Sequence, residues 1–178
     1  MTAERGAARI VRLDAMEYAD AVPELAELFA DVVADGGSLG FVSPFGPDDA
    51  AAWWRSRAAA VADGALTVWV ALDDGGVRGT IALARADKPN ARHRAEVVKL
   101  MVHPGARGRG LGRALLATAE EAAAEEGLGL LMLDTETDSS GERLYTAAGW
   151  TRYGVVPDYA ADPEGTLRDC SFFWKRVG

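Results

Sequence analysis

One stretch constrains the fold more than any other. Glu96–Val102, an apolar strand rich in valine, passes through His103-Pro104 and Arg107-Gly108-Arg109-Gly110-Leu111-Gly112 straight into a helix. Pro104 ends the strand because it has no N–H to give a neighbour. The helix Gly110–Glu126 carries Leu111, Ala114, Leu115, Thr118 and Ala122 on one face, and Gly127 stops it. The other elements are read around this unit. Ala8–Leu13 is a short strand. Glu17–Asp35 has Val22, Leu25, Leu28, Phe29, Val32 and Val33 at helical spacing and stops at Gly36-Gly37. Ser38–Phe45 is a loop, and Pro47-Asp48-Asp49 opens a second helix that runs to about Ala62. Leu66–Leu72 and Val77–Ala86 form a hairpin about Asp73–Gly76, followed by the polar loop Asp87–Arg94. Leu128–Asp134 is an apolar strand expected to be buried on both faces. Ser139 caps a helix that runs to Ala148, and Gly149 ends it. Trp150–Val155 and Arg168–Lys175 close the chain around the loop Pro157–Thr166. The order βααβββαβαββ predicts an α/β fold, a mixed sheet with helices on both faces.

A chain of 178 residues, 49% hydrophobic, fits a single domain spanning residues 1–178. Nineteen Lys and Arg against 27 Asp and Glu give a net charge of -8. With no basic run, nucleic acid and anionic membrane surfaces are excluded as partners, because neutralising phosphates needs concentrated cations. No apolar stretch is long enough to span a bilayer. Met1–Arg12 lacks the apolar core of a secretion signal, so a cytoplasmic location is expected. Cys170 is the only cysteine, which rules out an internal disulfide, and with just His93 and His103 beside it no metal site is expected.

Three alternating glycines at a helix start leave backbone N–H groups uncovered. Those donors, the positive end of the helix dipole and Arg107 and Arg109 together make a pyrophosphate cradle. A flexible turn with solubilising arginines needs the same residues and stays open as a second reading. Neither a dinucleotide fingerprint nor a P-loop is present, because the glycine spacing differs and no Lys-Ser/Thr follows. Gly36-Gly37-Ser38-Leu39-Gly40 satisfies G-x-S-x-G, but a helix precedes it and no suitable histidine follows, so a hydrolase elbow is rejected. Cys170 sits in an apolar strand and reads as a packing residue rather than half of a Cys-His pair.

Arg107-x-x-Gly110-x-Gly112, after Val97-Val98-Lys99-Leu100-Met101-Val102, resembles the acetyl-CoA-binding motif Q/R-x-x-G-x-G/A of the GNAT acetyltransferases. Glu142-Arg143-Leu144-Tyr145 with Gly149-Trp150 resembles that family's late helix and the step into its next strand. The order of elements agrees across nearly the whole chain. Leu131–Glu136 and the tail from Pro157 to Leu167 are similar to a bacterial subgroup that includes the tabtoxin-resistance acetyltransferase. The resemblance implies acetyl-CoA as cosubstrate and a pyrophosphate held at Arg107, Gly108, Arg109, Gly110, Leu111 and Gly112. It also implies a bulged strand whose backbone at Leu100, Met101 and Val102 pairs with pantetheine and points an N–H at the thioester oxygen. Tyr145 would be the acid that protonates the leaving thiolate; an isolated tyrosine on an amphipathic helix would otherwise read as a core aromatic.

Two carboxylates complete the expected catalytic set. Glu96 opens the cofactor strand and Asp134 ends the adjacent one, where α/β proteins bind ligands. Either could accept the proton of a cationic amine, and either could be a solvated strand-end charge. For Glu136 the solvated reading is favoured. The expected activity is direct acetyl transfer to a small, cationic amine, amino-acid-like or an antibiotic or toxin. Acetylation of a protein N-terminus or lysine, and an acyl-CoA sensor without turnover, are the rival readings. The loop Gly36–Phe45, Trp53, Trp54 and Tyr159 are expected to shape the amine pocket, and a homodimer is left open.

Overall fold

Alternating side chains along the strands place helices on both sides of one sheet. The computed structural model describes residues 8–178, so the first seven residues of the stretch searched for a secretion signal lie outside it. The strands are β1 (Arg9–Arg12), β2 (Leu66–Asp73), β3 (Gly76–Arg85), β4 (Arg94–Val102), β5 (Leu130–Glu136), β6 (Thr151–Ala161) and β7 (Leu167–Arg176). The helices are α1 (Ala15–Ala34), α2 (Pro47–Ser56), α3 (Ala58–Ala62), α4 (Leu111–Glu125) and α5 (Ser140–Ala147). The sheet order is β1-β2-β3-β4-β5-β7-β6. Every neighbouring pair is antiparallel except β4 and β5.

In β2, Val68 and Val70 face α1 and α2, while Trp69 and Ala71 face α4. A strand covered on both sides in this way reads as a continuous apolar run. Leu25, Leu28 and Phe29 of α1 are fully buried in the first core, and each such side chain contributes about 1.5–3 kcal/mol. Leu115, Leu116 and Ala119 of α4 join Leu131, Leu133, Trp150 and Phe173 in the second.

Asp14 fixes where α1 begins. Its carboxylate accepts from the amides of Met16 and Glu17, and Glu17 accepts from the Asp14 amide, closing a reciprocal cap. Asp14→Ala is expected to cost about 1 kcal/mol of stability. A urea titration should show a lower midpoint with an unchanged slope.

Four expectations need correction. The second helix divides at Arg57 into α2 and α3. Arg57 lies over the Trp53 ring at 5.5 Å, which holds the joint in place. The expected loop Pro157–Thr166 is partly strand, because β6 continues to Ala161. Pro157 is tolerated there because β6 is an edge strand; the register shifts between Val156 and Ala160, with Asp158 at φ +51. β5 starts at Leu130 rather than Leu128 and is not buried on both faces. Only Leu131 and Leu133 are buried; the other face borders an open cleft. The tryptophans do not line that cleft. Trp54 is wholly buried, donating to the Leu25 carbonyl at 3.1 Å, and Trp53 packs at right angles to Phe29.

Candidate active site

The parallel pair β4/β5 holds together only briefly. Arg94, Ala95 and Glu96 pair with Leu130, Leu131 and Met132, and then the strands separate. A bulge in β4 accompanies the split: Thr80 faces Met101 while Ala82 faces Val98, so β4 carries one residue more than β3. Lys99 occupies it at φ +54, a conformation a side chain rarely adopts. Bulges bend the strand that carries them, and this one turns β4 away from β5. It also switches side-chain parity. Val97, Leu100 and Val102 face α4, whereas Val98 and Met101 face α1.

The split opens a cleft of about 850 Å³. Leu100, Met101 and Val102 line one wall; the Met101 side chain is buried, leaving its backbone to face the opening. The sheet-side N–H and C=O groups of this wall have no β5 partner beyond Glu96.

At one end of the cleft lie Arg107, Gly108, Gly110, Leu111 and Gly112. Gly108 and Gly110 have φ of +76 and +74, and a Cβ at either would point into open space. The first intrahelical bond of α4 is from Ala114 to Gly110, so the amides of Leu111, Gly112 and Arg113 have no partner within the helix. No side chain caps them. Arg107 is ion-paired to Asp35 at the end of α1. Arg109 does not join the group: its guanidinium turns back to the Gly105 carbonyl, 3.3 Å away, and it does not line the cleft.

Tyr145 enters from α5 on the α4 side. Its ring packs against Trp150 and Phe173, with centroids 5.9 and 6.1 Å away, and 6% of the residue is exposed. Ser139 fixes the start of α5 by accepting from the Glu142 amide at 3.1 Å. Among the described residues the Tyr145 hydroxyl has no hydrogen-bond partner. Burial, with the Asp134 charge adding to it, holds the phenol well above its usual range, so it stays protonated at neutral pH.

Asp134 and Glu96 line the cleft from the other side of the sheet plane. Glu96 is exposed to the open cleft, whose walls still displace part of its water. Burial first, and the Asp134 charge second, hold its carboxyl above the ordinary range. Cys170 is more than a packing residue: its thiol donates to Asp134 at 3.4 Å, and burial and that carboxylate push its pKa up to about 12. Glu136, Tyr159 and residues 36–40 also border the cleft. The site therefore has a donor side, with bare amides and a phenol, and an acceptor side, with carboxylates. Among the described residues no group of His, Cys, Asp and Glu is placed to hold a metal ion, and no helix is long and apolar enough to cross a membrane.

A mixed sheet that parts between its two parallel strands, over a helix start bare of caps, is the architecture of an acyltransferase. The chain belongs to the acetyltransferase (GNAT) family, whose model matches residues 26–150. Solved structures of similar fold include an acetyltransferase, yncA, from Salmonella typhimurium with its cofactor acetyl-CoA, at 22% identity and a TM-score of 0.77 over 97% of this chain and 95% of that one. A phosphinothricin acetyltransferase from Sinorhizobium meliloti, in complex with AcCoA, gives 20% identity and a TM-score of 0.77 over 97% and 90%. A ribosomal-protein-alanine N-acetyltransferase from Brucella melitensis gives 24% identity and 0.75 over 95% and 99%.

Proposed function

We propose that this acetyltransferase moves the acetyl group of acetyl-CoA directly to the amine of a small, cationic molecule, amino-acid-like or an antibiotic or toxin amine. The observation that carries the reading is the division of one cleft into a cradle side and a carboxylate side that meet where β4 and β5 part. The residues present suit the cosubstrate, since a Cβ at Gly108 or Gly110 would fill the space the cradle leaves open. Amides at the start of α4 and the Arg107 guanidinium hold the pyrophosphate. The backbone of Leu100, Met101 and Val102 pairs with the pantetheine arm, and an N–H there stabilises charge on the thioester oxygen, worth about 3–4 kcal/mol in comparable sites. Asp134 binds the ammonium, and Glu96, whose carboxyl is held above its ordinary range, takes its proton so that the neutral amine can attack. Tyr145 then gives its proton to the departing thiolate. The work is done within one domain, residues 1–178, in the cytoplasm. Resemblance of Leu131–Glu136 and the 157–167 tail supports kinship with the tabtoxin-resistance acetyltransferase. A second reading, acetylation of a protein N-terminus, is favoured by the likeness to the Brucella enzyme. Pairing as a homodimer is compatible with both.

Mass spectrometry of the protein with acetyl-CoA and a panel of amino acids, aliphatic amines, aminoglycosides and short peptides tests the assignment. A small amine gaining one acetyl group supports it. Peptide-only products favour the second reading, and bound acetyl-CoA without product would make the chain a sensor.

The carboxylates should announce themselves in the pH profile. Only ionised Glu96 can accept a proton, so kcat/KM falls as pH drops through its carboxyl's raised value. That places the acid limb above the ordinary carboxylate range. Glu96→Gln should remove the limb and lower kcat/KM by about 10²-fold. Steady-state kinetics from mildly acidic to alkaline pH on the best panel amine would decide it; an unchanged profile would pass the role to Asp134.

A further inference from the structure

Lys99 is the one charged residue in the run Val97–Val102, and the mechanism above does not use it. The bulge that parts the sheet aims its side chain away from the cradle, into the aromatic layer beneath the 35–46 segment between α1 and α2. There its ammonium lies 4.8 Å from the Trp53 ring centre, 5.5 Å from Phe29 and 5.9 Å from Phe41. It donates to the Leu39 carbonyl at 2.9 Å. Residues 36–40 form a wall of the cleft. Farther along the same segment, Phe41 and Phe45 pack against Phe29, and the Ser43 amide donates to the Pro163 carbonyl at 2.8 Å.

This wall has little else to hold it. Gly36 and Gly40 sit at φ +95 and +91, so the backbone turns twice without side-chain support. The Gly37 amide is tied to Val32, and the next backbone tie is at Ser43. Among the described residues, Lys99 Nζ is the one hydrogen-bond partner that residues 38–42 find. A leucine would fill the aromatic box without burying a charge, but it could not bond the carbonyl. Burial lowers the ammonium's pKa, whereas the Asp134 and Glu96 charges across the cleft act to keep it protonated.

We propose that Lys99 is a positioning residue for the acceptor: it fixes Leu39, and with it the wall against which the amine binds, to the strand that presents the acetyl donor. The proposal rests on the acyl-transfer reading of the cleft. It makes Lys99 a determinant of amine affinity rather than of proton transfer.

The test compares Lys99→Met, which keeps the stem and loses the donor, with Lys99→Arg, which keeps a cation and a donor. Chymotrypsin should cut at Leu39, Phe41 or Phe45 about tenfold faster in K99M, because cleavage follows the population of the opened segment. On the panel amine with the highest turnover, KM for the amine should rise about tenfold while kcat falls less than about threefold and KM for acetyl-CoA holds. K99R should restore both readouts. If K99M does not fold, Gly40→Ala strains the same segment where its Cβ meets no atom within 4 Å. G40A should raise the amine KM in the same way; where K99M does fold, the double variant should raise it no further than either single one. Wild-type cleavage rates with an unchanged amine KM in K99M, or no restoration by K99R, would overturn the proposal. If no panel amine is acetylated, the acyl-transfer reading fails by itself, and the cleavage rates still decide whether Lys99 holds the wall.

Discussion

Gly110→Val and Gly112→Val are each expected to abolish acetyl-CoA binding by a protein that remains folded. Gly110 is left-handed at φ +74, so a branched residue there both strains the turn and covers the amides at the start of α4. Gly112 has ordinary backbone geometry and room for a Cβ, with Leu144 and Val102 atoms 3.5 and 3.6 Å away. The further methyl groups of valine would stand over the helix start. Two lost charge-assisted bonds at about 1.5–3 kcal/mol each amount to about 10²–10⁴ in affinity. Calorimetry with acetyl-CoA reads this directly, alongside circular dichroism to establish that the fold is intact. Unchanged affinity in either folded variant would remove the cradle from the mechanism.

Tyr145→Phe is expected to lower kcat by about 10²–10⁴ with acetyl-CoA affinity nearly intact. The ring keeps its contacts with Trp150 and Phe173, so thermal stability should barely change. The phenol stays protonated across the assay range, since burial and Asp134 both raise it. The alkaline side of the wild-type profile should therefore show no loss from its ionisation. A variant that melts lower yet turns over normally per folded molecule would make Tyr145 a core aromatic and nothing more.

Much of this is legible in the sequence alone. Elements whose signals are local came through well. Pro104 and the glycines from Gly108 to Gly112 mark the β4–α4 turn, and Ser139 and Gly149 bracket α5, because caps and turns depend on a few adjacent residues. The element order predicted the mixed sheet for the same reason. Features set by distant contacts were not legible. Lys99 meets Leu39 sixty positions away, and its bulge reverses side-chain parity in a way that a period of two does not reveal. Cys170 looked like packing because nothing in its own strand indicates that Asp134 lies across β5. Trp53 and Trp54 looked like pocket residues, yet the face of α2 they share turns toward α1. Pro157 reads as a loop by its local chemistry, yet it lies within β6, whose edge position lets the strand carry it. Arg107 and Arg109 are chemically alike in the sequence; one reaches the cleft and the other folds back on Gly105.

The parting of β4 from β5 leaves the sheet with two edges in its interior as well as the two at its rims. A bare edge is ordinarily a hazard, since any extended chain can add to it. Here both lie recessed within a cleft, facing each other across a gap the protein itself never closes. What can close it is a slender guest that brings its own amides; under the function proposed above, the pantetheine arm would be that guest, a missing strand borrowed for one turnover. β-augmentation of this kind ties affinity to backbone atoms rather than to side chains. Point substitutions at Leu100 and Val102 that leave the backbone in place should therefore have little purchase on donor binding.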